Sequence, residues 1–578
     1  MQLHRAVAML PISRDLAGLE SGAFDVLVIG GGIVGACIAR DAAMRGLRVA
    51  LVEREDFGAG ATANSLKIVH GGFRYLQRLD LARARASARE QAAWFAIARH
   101  LVEPLPVLVA ARPGEFPPLP LLAGAAALYG LVSAGTRSRL NAYGNTPAET
   151  TPLTGPASRR RASAWPGARL LSSDECTAAV PELDAARPAG GLLFHDAILH
   201  SPERLVLEVI GSAVDAGAVV LNHVEVESPR RRAGRLIGAQ LRDRMSGASA
   251  SVEARRIVVA AGAWTPRVAA LLAGRPVPST HAYALAMNLV VPVPGQRVAF
   301  AVTSHSRSSN GVRRLFAVPW RGRTLIGTAQ FAVPGTAPEP VATEAHIDAF
   351  LAELAAASPP VRLRRDDVVL VHAGLLPCDS GSDEPRLLTR HRIRTHTDEG
   401  VPELISVMSV KLTTARLLAE QVVDRLFRAD GRTPPRCRTA STPLAGGVCD
   451  PSTVRNAVRA TLPNVDDDIV DHLARTYGAR FREVLRHRSQ GLPWMQRVVP
   501  DAPVIRAQLD YAASAEGAVT VDDILHRRTE LGPCGLITQD SIAMAQEALA
   551  ATAARSLRPG AARSGHAVPT ATATGTFR

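Results

Sequence analysis

The sequence predicts an α/β and α+β protein: a Rossmann-like nucleotide-binding domain joined to an antiparallel-sheet domain and a helical C-terminal domain. Three observations predict it. Residues 24–29 form a short apolar run, followed by Gly30, Gly32 and Gly35 in G-x-G-x-x-G spacing, a helical stretch to Gly46, and a second apolar run that stops at Glu53. Residues 280–335 alternate apolar and polar positions between short turns, the pattern of a half-buried antiparallel sheet. After residue 450 the periodicity becomes helical. A chain of 578 residues is too long for a single core, so several domains are expected.

The glycine turn carries the most chemistry. Gly30 permits a tight turn, Gly32 lets the backbone approach a pyrophosphate, and Gly35 lets the helix pack closely on the strand. Unpaired N–H groups at the helix start then face the phosphates. Glu53 ends the second strand where a carboxylate can accept from a ribose hydroxyl. Alone, the motif admits either FAD or NAD.

Composition narrows the partners. The net charge is +14, yet the arginines are dispersed and aromatics make up only 4% of the chain, so no nucleic-acid surface is expected. A small anionic substrate or an anionic lipid surface accounts for the excess equally well. No run of 18 apolar residues spans a bilayer; the apolar stretch 119–131 reads as a buried or interfacial helix and a candidate peripheral membrane contact. Cys37, Cys176, Cys378, Cys437, Cys449 and Cys534 lack C-x-x-C spacing, which argues for a reducing compartment and against a zinc or iron–sulfur centre; no metal is expected. The N-terminus has no apolar core followed by a small-residue cleavage site, which points to a cytoplasmic location. Lysine occurs only at Lys67 and Lys411, where a compact ammonium is therefore suspected of a specific task.

In order, residues 1–22 read as an N-terminal extension and 23–100 as the first part of the nucleotide domain. Within the latter, 58–80 holds small residues and polar groups (Thr62, Asn64, Ser65, Lys67) suited to lie against a cofactor, before a helix over 79–100. Residues 101–190 read as an insertion, with a helical piece near 119–135 and a capped helix over 171–180. Residues 191–275 return to the nucleotide domain through a strand over 190–200, a helix over 202–216, a strand over 219–226 and a hairpin over 236–254. They end in a buried strand closed by Ala261 and Gly262. Residues 276–365 form the substrate or cap domain. Residues 366–436 complete the nucleotide domain, with a strand over 404–410 running into Lys411, Leu412 and Thr413 at a helix start. A linker (437–450), a helical domain (451–553) and a disordered tail (554–578) follow.

The segments DVLVIGGGIVGACIARDAAMRG, KIVHGGFRYL, RRLFAVPWRGRTLIGT, RRDDVV, VKLTTARLLAEQV and EGAVTVDDILHRRTELG, in this order, resemble the FAD-dependent glycerol-3-phosphate dehydrogenase family over about residues 24–550. The resemblance implies noncovalent FAD, oxidation of sn-glycerol 3-phosphate to dihydroxyacetone phosphate by hydride transfer from C2 to flavin N5, and electron delivery to a quinone or other acceptor at a membrane surface. It makes the first domain an FAD-binding domain. Gly30, Gly32, Gly35, Glu53, Arg54, Thr62, Ser65, Lys67, His70, Gly71, Val226, Ala261, Gly262, Lys411, Leu412 and Thr413 would hold the cofactor. Arg74 and Tyr75 would line the substrate pocket, and Arg313 or Arg314 would bind phosphate. His70 is the candidate base for the C2 hydroxyl, since its unperturbed pKa lies near neutrality; a packed histidine beside the cofactor is the alternative. Lys411 completes the candidate catalytic set. Expected partners are the small anionic substrate, the acceptor, a peripheral contact at the inner face of the cytoplasmic membrane, and a second copy in a homodimer.

The chain departs from the family pattern where substrate is held. Leu376 stands where the family usually has arginine, Gln330 where it has aspartate, Ser409-Val410 where it has paired glycines, and 200–204 reads His-Ser-Pro-Glu-Arg. An FAD enzyme of this architecture acting on another polyol phosphate, a hydroxy acid or an amine is therefore the alternative function. A non-catalytic flavin-binding protein is a third.

Overall fold

The computed structural model describes residues 10–73, 75, 79–113, 118–132, 167–186, 188–277, 281–292, 297–304, 313–333, 339–357, 361–379, 386–486 and 493–556. Of the tail expected over 554–578, residues 554–556 belong to the last helix, while 557–578 and residues 1–9 of the extension lie outside the described residues.

The chain opens with β1 (Phe24–Ile29), α1 (Ile33–Met44), β2 (Val49–Val52), β3 (Ile68–Val69), α2 (Leu81–Ile97), β4 (Val102–Ala111) and α3 (Leu119–Val132). It continues through β5 (Arg169–Leu171), α4 (Ser173–Ala179), β6 (Gly190–Leu199), α5 (Pro202–Asp215), β7 (Val219–Leu221), β8 (Val224–Arg232), β9 (Arg235–Asp243), β10 (Ser249–Val259) and α6 (Thr265–Ala273). Next come β11 (His281–Val291), β12 (Ala299–Ser304), β13 (Arg313–Trp320), β14 (Arg323–Val333), α7 (Glu344–Ala355), β15 (Leu370–Asp379), β16 (Arg386–Leu387), β17 (Arg392–His396), β18 (Val401–Met408) and α8 (Ala415–Ala429). The C-terminal helices are α9 (Pro451–Thr461), α10 (Asp467–Tyr477), α11 (Phe481–Arg486), α12 (Arg506–Ala515), a π-helical turn at Asp523–Arg528, and α13 (Gln539–Ser556).

The first sheet runs β17-β18-β10-β1-β2-β7, with β1 parallel to both β2 and β10. These central strands are apolar on both faces because both are covered. Val26 and Val28 pack under α1, α5 and α8, while Leu27 and Ile29 face the hairpin strands and α6. The expected hairpin is present as β9 and β10, and β10 then continues without a break into the parallel strand beside β1. The strand expected over 219–226 is divided into β7 and β8 at His223, whose φ is +53°.

The second sheet runs β16-β15-β11-β14-β13-β12-β4-β6-β3 and is antiparallel except for the parallel pair β12–β4. It draws strands from well outside 276–365. Residues 102–111, read from sequence as part of a proline-rich insertion, form β4, whose Pro104 and Pro106 interrupt the alternating signal although the strand pairs with β6 along its whole length. β15 likewise belongs to this sheet, not to the nucleotide domain. One face packs on α7 through Leu289, Leu315, Ala317 and Ile326; the other meets α3 and the 58–66 loop.

The C-terminal helices are held by buried ion pairs as well as apolar contacts. Arg204 and Glu208 of α5 bind Glu516 and Arg480, and Asp56 of the loop after β2 binds Arg527 and Arg528. Among the described residues, no helix is long and apolar enough to cross a membrane.

Candidate functional site

The glycine turn forms at the end of β1. Gly30 has φ +112°, and a Cβ on Gly35 would collide with the Gly30 carbonyl, so α1 and β1 approach as closely as the motif requires. Gly32 caps α1 with no side-chain hydrogen bond of its own, and a Cβ there would meet only the Thr62 hydroxyl. Thr62 Oγ1 accepts from the Ile33 N–H at 3.3 Å. Glu53 accepts from the Gly31 N–H at 2.6 Å and the Glu55 N–H at 2.8 Å, one bond to each carboxylate oxygen, so each retains acceptor capacity for a ribose. Burial pushes its pKa up, against those two hydrogen bonds. Arg54 is nearly half exposed, between Glu55 and Glu225. Val226, two residues beyond the Val224 N–H that donates to the Glu53 carbonyl, packs at the edge of the hairpin core. Ala261 and Gly262 follow β10 directly beside the turn, and Gly262 (φ +56°) has open space where a Cβ would stand.

These features fit FAD. Gly32 and Gly262 leave room where a dinucleotide passes, and the Ser65 Oγ is buried without a partner in the same loop as Thr62. That loop also lies against the second sheet: the Asn288 amide donates to the Asn64 carbonyl at 3.0 Å, and a Cβ on Gly374 would sit 3.1 Å from the Ala61 Cα.

Lys67 is enclosed by other parts of the chain. Its side chain is fully buried, with Nζ donating to the Ala63 carbonyl at 3.0 Å, 3.6 Å from Glu203 and 4.9 Å from the Trp320 ring centroid. The ammonium braces the cofactor loop from behind; burial lowers its pKa and Glu203 opposes that. The sequence could not place Glu203, because the contact joins residues of separate elements.

His70 and Gly71 lie just after β3, where two other elements fix them. The His70 N–H donates to Thr413 Oγ1 at 3.1 Å, and its Nδ1 lies 3.0 Å from Asp196 Oδ2. The other Asp196 oxygen accepts from the Gly71 N–H at 2.6 Å and the Gln91 amide at 3.3 Å. Tyr129 of α3 donates to the Gly71 carbonyl at 2.9 Å. The His70 side chain is half exposed, and its ring centroid is 6.2 Å from that of Phe316 on β13. Asp196 was missed from sequence. Its signal was a lone carboxylate inside the apolar strand 190–199.

Thr413 also ties this corner to α2, its carbonyl accepting from the Trp94 indole at 2.9 Å. Leu412 packs against the core under α1. Lys411 reaches outward: Nζ donates to the Thr389 carbonyl at 3.3 Å and stands 4.2 Å from the Tyr75 ring centroid. Arg83 covers the same ring at 5.1 Å. Arg390 is 3.9 Å from Asp80, which also pairs with Arg83 at 2.8 Å. Lys411 and Arg83 thus flank Tyr75, and Arg390 is linked to Arg83 through the Asp80 carboxylate; sequence reading passed over Arg83 and Arg390. Arg74 lies outside the described residues.

Alternation along β13 separates Arg313 from Arg314. Arg313 NH2 binds both oxygens of Glu353 on α7, at 2.6 and 2.7 Å, on the sheet face turned away from His70. Arg314 falls on the face of Phe316. Gln330 and Leu376 occupy the same face on β14 and β15, paired with Ala286 and Ala284 of β11.

Residues 25–425 match the family described as FAD dependent oxidoreductase, and residues 437–562 match the C-terminal domain of alpha-glycerophosphate oxidase. The chain is 30% identical over 540 residues to a glycerol-3-phosphate dehydrogenase of Synechocystis, covering 91% of this chain and 92% of that one. It is 31% identical over 549 residues to glycerol-3-phosphate dehydrogenase 1 of Mycobacterium tuberculosis, covering 93% and 97%. The solved structure of a Bacillus halodurans glycerol-3-phosphate dehydrogenase complexed with FAD superposes with a TM-score of 0.66 at 24% identity, over 93% of this chain and 96% of that one, and so shares its fold.

Proposed function

Because this chain belongs to the FAD-dependent oxidoreductase family, we propose that it oxidises sn-glycerol 3-phosphate to dihydroxyacetone phosphate and passes the electrons to a quinone-type acceptor. One observation carries the substrate assignment. The short turn 411–413 holds His70 through Thr413 and, two residues away, places Lys411 in the cationic cluster around Tyr75. A phosphate and a hydroxyl on neighbouring carbons of one small molecule need such a pairing of cations and base.

In this reading Lys411, Tyr75, Arg390 and Arg74 hold the phosphate, with Arg314 reaching from β13. Arg83 and Asp80 keep Tyr75 and Arg390 in place. His70 Nε2 accepts the C2 hydroxyl proton as the carbonyl forms. FAD, when bound, takes up the electron pair that leaves C2 with its hydrogen. The N–H groups at the start of α8 favour negative charge beside the turn 411–413. Binding orients C2, and the sheet face of Phe316, Gln330, Ala284 and Ala286 restricts water there.

Leu376 supports a second reading. Beside Ala284 it puts an apolar side chain where the family usually has arginine, which suits a different polyol phosphate, a hydroxy acid or an amine. Anaerobic mixing of the purified flavoprotein with glycerol 3-phosphate, glycerol, other polyol phosphates, hydroxy acids and amines decides between them. Bleaching of the flavin band by glycerol 3-phosphate and not by glycerol is expected. No bleaching with it, alongside rapid bleaching by another compound, would refute the primary assignment.

The acceptor reading draws support from α3. Its buried side carries Leu122 and Tyr129, whereas Leu121 and Leu131 are 47% and 78% exposed on an uncharged helix. That face suits the hydrocarbon boundary of an anionic bilayer. Flotation with anionic vesicles should be lost in Leu121→Glu/Leu131→Glu; unchanged flotation would remove α3 from this role.

A further inference from the structure

We infer that Asp196 is the positioning residue of His70: it holds the proton of the neutral imidazole on Nδ1 and so directs the Nε2 lone pair at the substrate hydroxyl. This rests on the reading of His70 as the base.

The geometry leaves Asp196 little freedom. The residue is 6% exposed, on β6 between β4 and β3, and its two oxygens have separate tasks. Oδ1 is taken by the Gly71 N–H at 2.6 Å and approached by the Gln91 amide at 3.3 Å, both of which can only donate in this arrangement. Oδ2 is left for His70 Nδ1 at 3.0 Å. An ionised carboxylate is an acceptor only, so a neutral imidazole facing it must carry its proton on Nδ1. The other ring nitrogen is then the acceptor, and the ring's half exposure places it toward the open side of the site. As Nε2 gains a proton, the nearby carboxylate stabilises the imidazolium, the same division of labour as in carboxylate–histidine pairs of hydrolytic enzymes. The Gln91 side chain extends the frame: its amide also donates to the Val69 carbonyl at 2.8 Å, fixing the strand that delivers His70.

Arg314 on β13 shares the sheet face of Phe316, and Lys411 lies two residues before the Thr413 hydroxyl that anchors the His70 backbone, with its ammonium turned to Tyr75. Asp196 on β6 is the charged group in contact with the ring, and α2 contributes the neutral Gln91. His195, the strand neighbour of Asp196, points to the opposite face of the sheet.

Asp196→Asn is the informative substitution, because it keeps shape while reversing one donor. The Gly71 N–H would still claim the amide oxygen, so the NH2 group would face Nδ1 and force the imidazole proton onto Nε2, where it blocks the lone pair needed for catalysis. Two readouts on the FAD-loaded enzyme test this. In protein labelled with 15N-histidine, the His70 ring signals, assigned by their loss in His70→Gln, should show the proton on Nδ1 in the parent and on Nε2 in Asp196→Asn. In steady-state assays, kcat/KM of Asp196→Asn at pH 7 should fall ~10²- to 10⁴-fold through kcat, with flavin content and KM little changed. Asp196→Glu should recover part of the loss. An Nε2-protonated ring in the parent, or an Asn variant within about 3-fold of the parent, overturns the inference while leaving His70 as base if His70→Gln is inactive. Parental activity in His70→Gln overturns the base reading itself.

Discussion

Replacing Arg313 and Arg314 separately by methionine should produce opposite phenotypes, although the two residues are adjacent and equally charged. Arg314 shares the β13 face of Phe316, whose ring lies 6.2 Å from that of His70. If it reaches the phosphate, Arg314→Met removes one charge-assisted hydrogen bond, worth about 1.5–3 kcal/mol. That corresponds to a ~10- to 150-fold lower kcat/KM, mostly through KM, because the phosphate is bound equally in ground and transition states. Arg313 instead closes a pair with Glu353, at 21% and 12% side-chain exposure, and Ser304 donates to the same carboxylate at 2.5 Å. Arg313→Met leaves that carboxylate with a hydroxyl alone, at a cost of about 2 kcal/mol after allowing for partial solvent screening. Its kcat/KM should stay within about 3-fold of the parent while the temperature of flavin release falls by several degrees. Anaerobic steady-state assays with a dye acceptor, paired with thermal melts followed by flavin fluorescence, measure both quantities. A larger kcat/KM loss in Arg313→Met than in Arg314→Met would refute the assignment of faces.

Three further outcomes are expected. Gly35→Ala should purify without flavin, since the added Cβ meets the Gly30 carbonyl; a normal flavin-to-protein ratio would contradict that packing argument. Arg528→Met should loosen the C-terminal helices and the loop after β2 together, because it strips the buried Asp56 of its bidentate partner at a cost of about 3–5 kcal/mol; limited proteolysis that leaves both segments as protected as in the parent would count against it. Burial lowers the pKa of His100 to about 4 and of His372 and His472 to about 3, so the folded protein refuses protons that the unfolded chain accepts near pH 6.5. Their contribution is intact above that pH and is lost as pH falls toward 4, about 3 kcal/mol from His100 alone. Melting temperatures from pH 7.5 to 4.5 should drop steeply below pH 6.5, and a level profile would contradict the burial of these rings.

The sequence by itself determined the nucleotide turn and the mixed α/β and α+β class, because both are written in local spacing, and the resemblance of several segments in one order to a known family implied FAD. Glycines must stand at fixed offsets for a strand, a turn and a helix to meet, and the 411–413 turn lies within one continuous segment. Residues whose task depends on a partner far along the chain were less legible. Asp196 is a lone carboxylate in an apolar strand, and only the fold sets it against His70, 126 residues away. Nothing local to Lys67 announced Glu203 and Trp320, the partners that enclose its ammonium in the fold. β4 was hidden by its own prolines and became a strand through its pairing with β6. Tertiary structure alone decided which of two neighbouring arginines pairs with α7 and which shares the face of Phe316, since a side chain's direction on a strand alternates with period two and only the packing of the sheet between α7 and the 58–66 loop says which side is which.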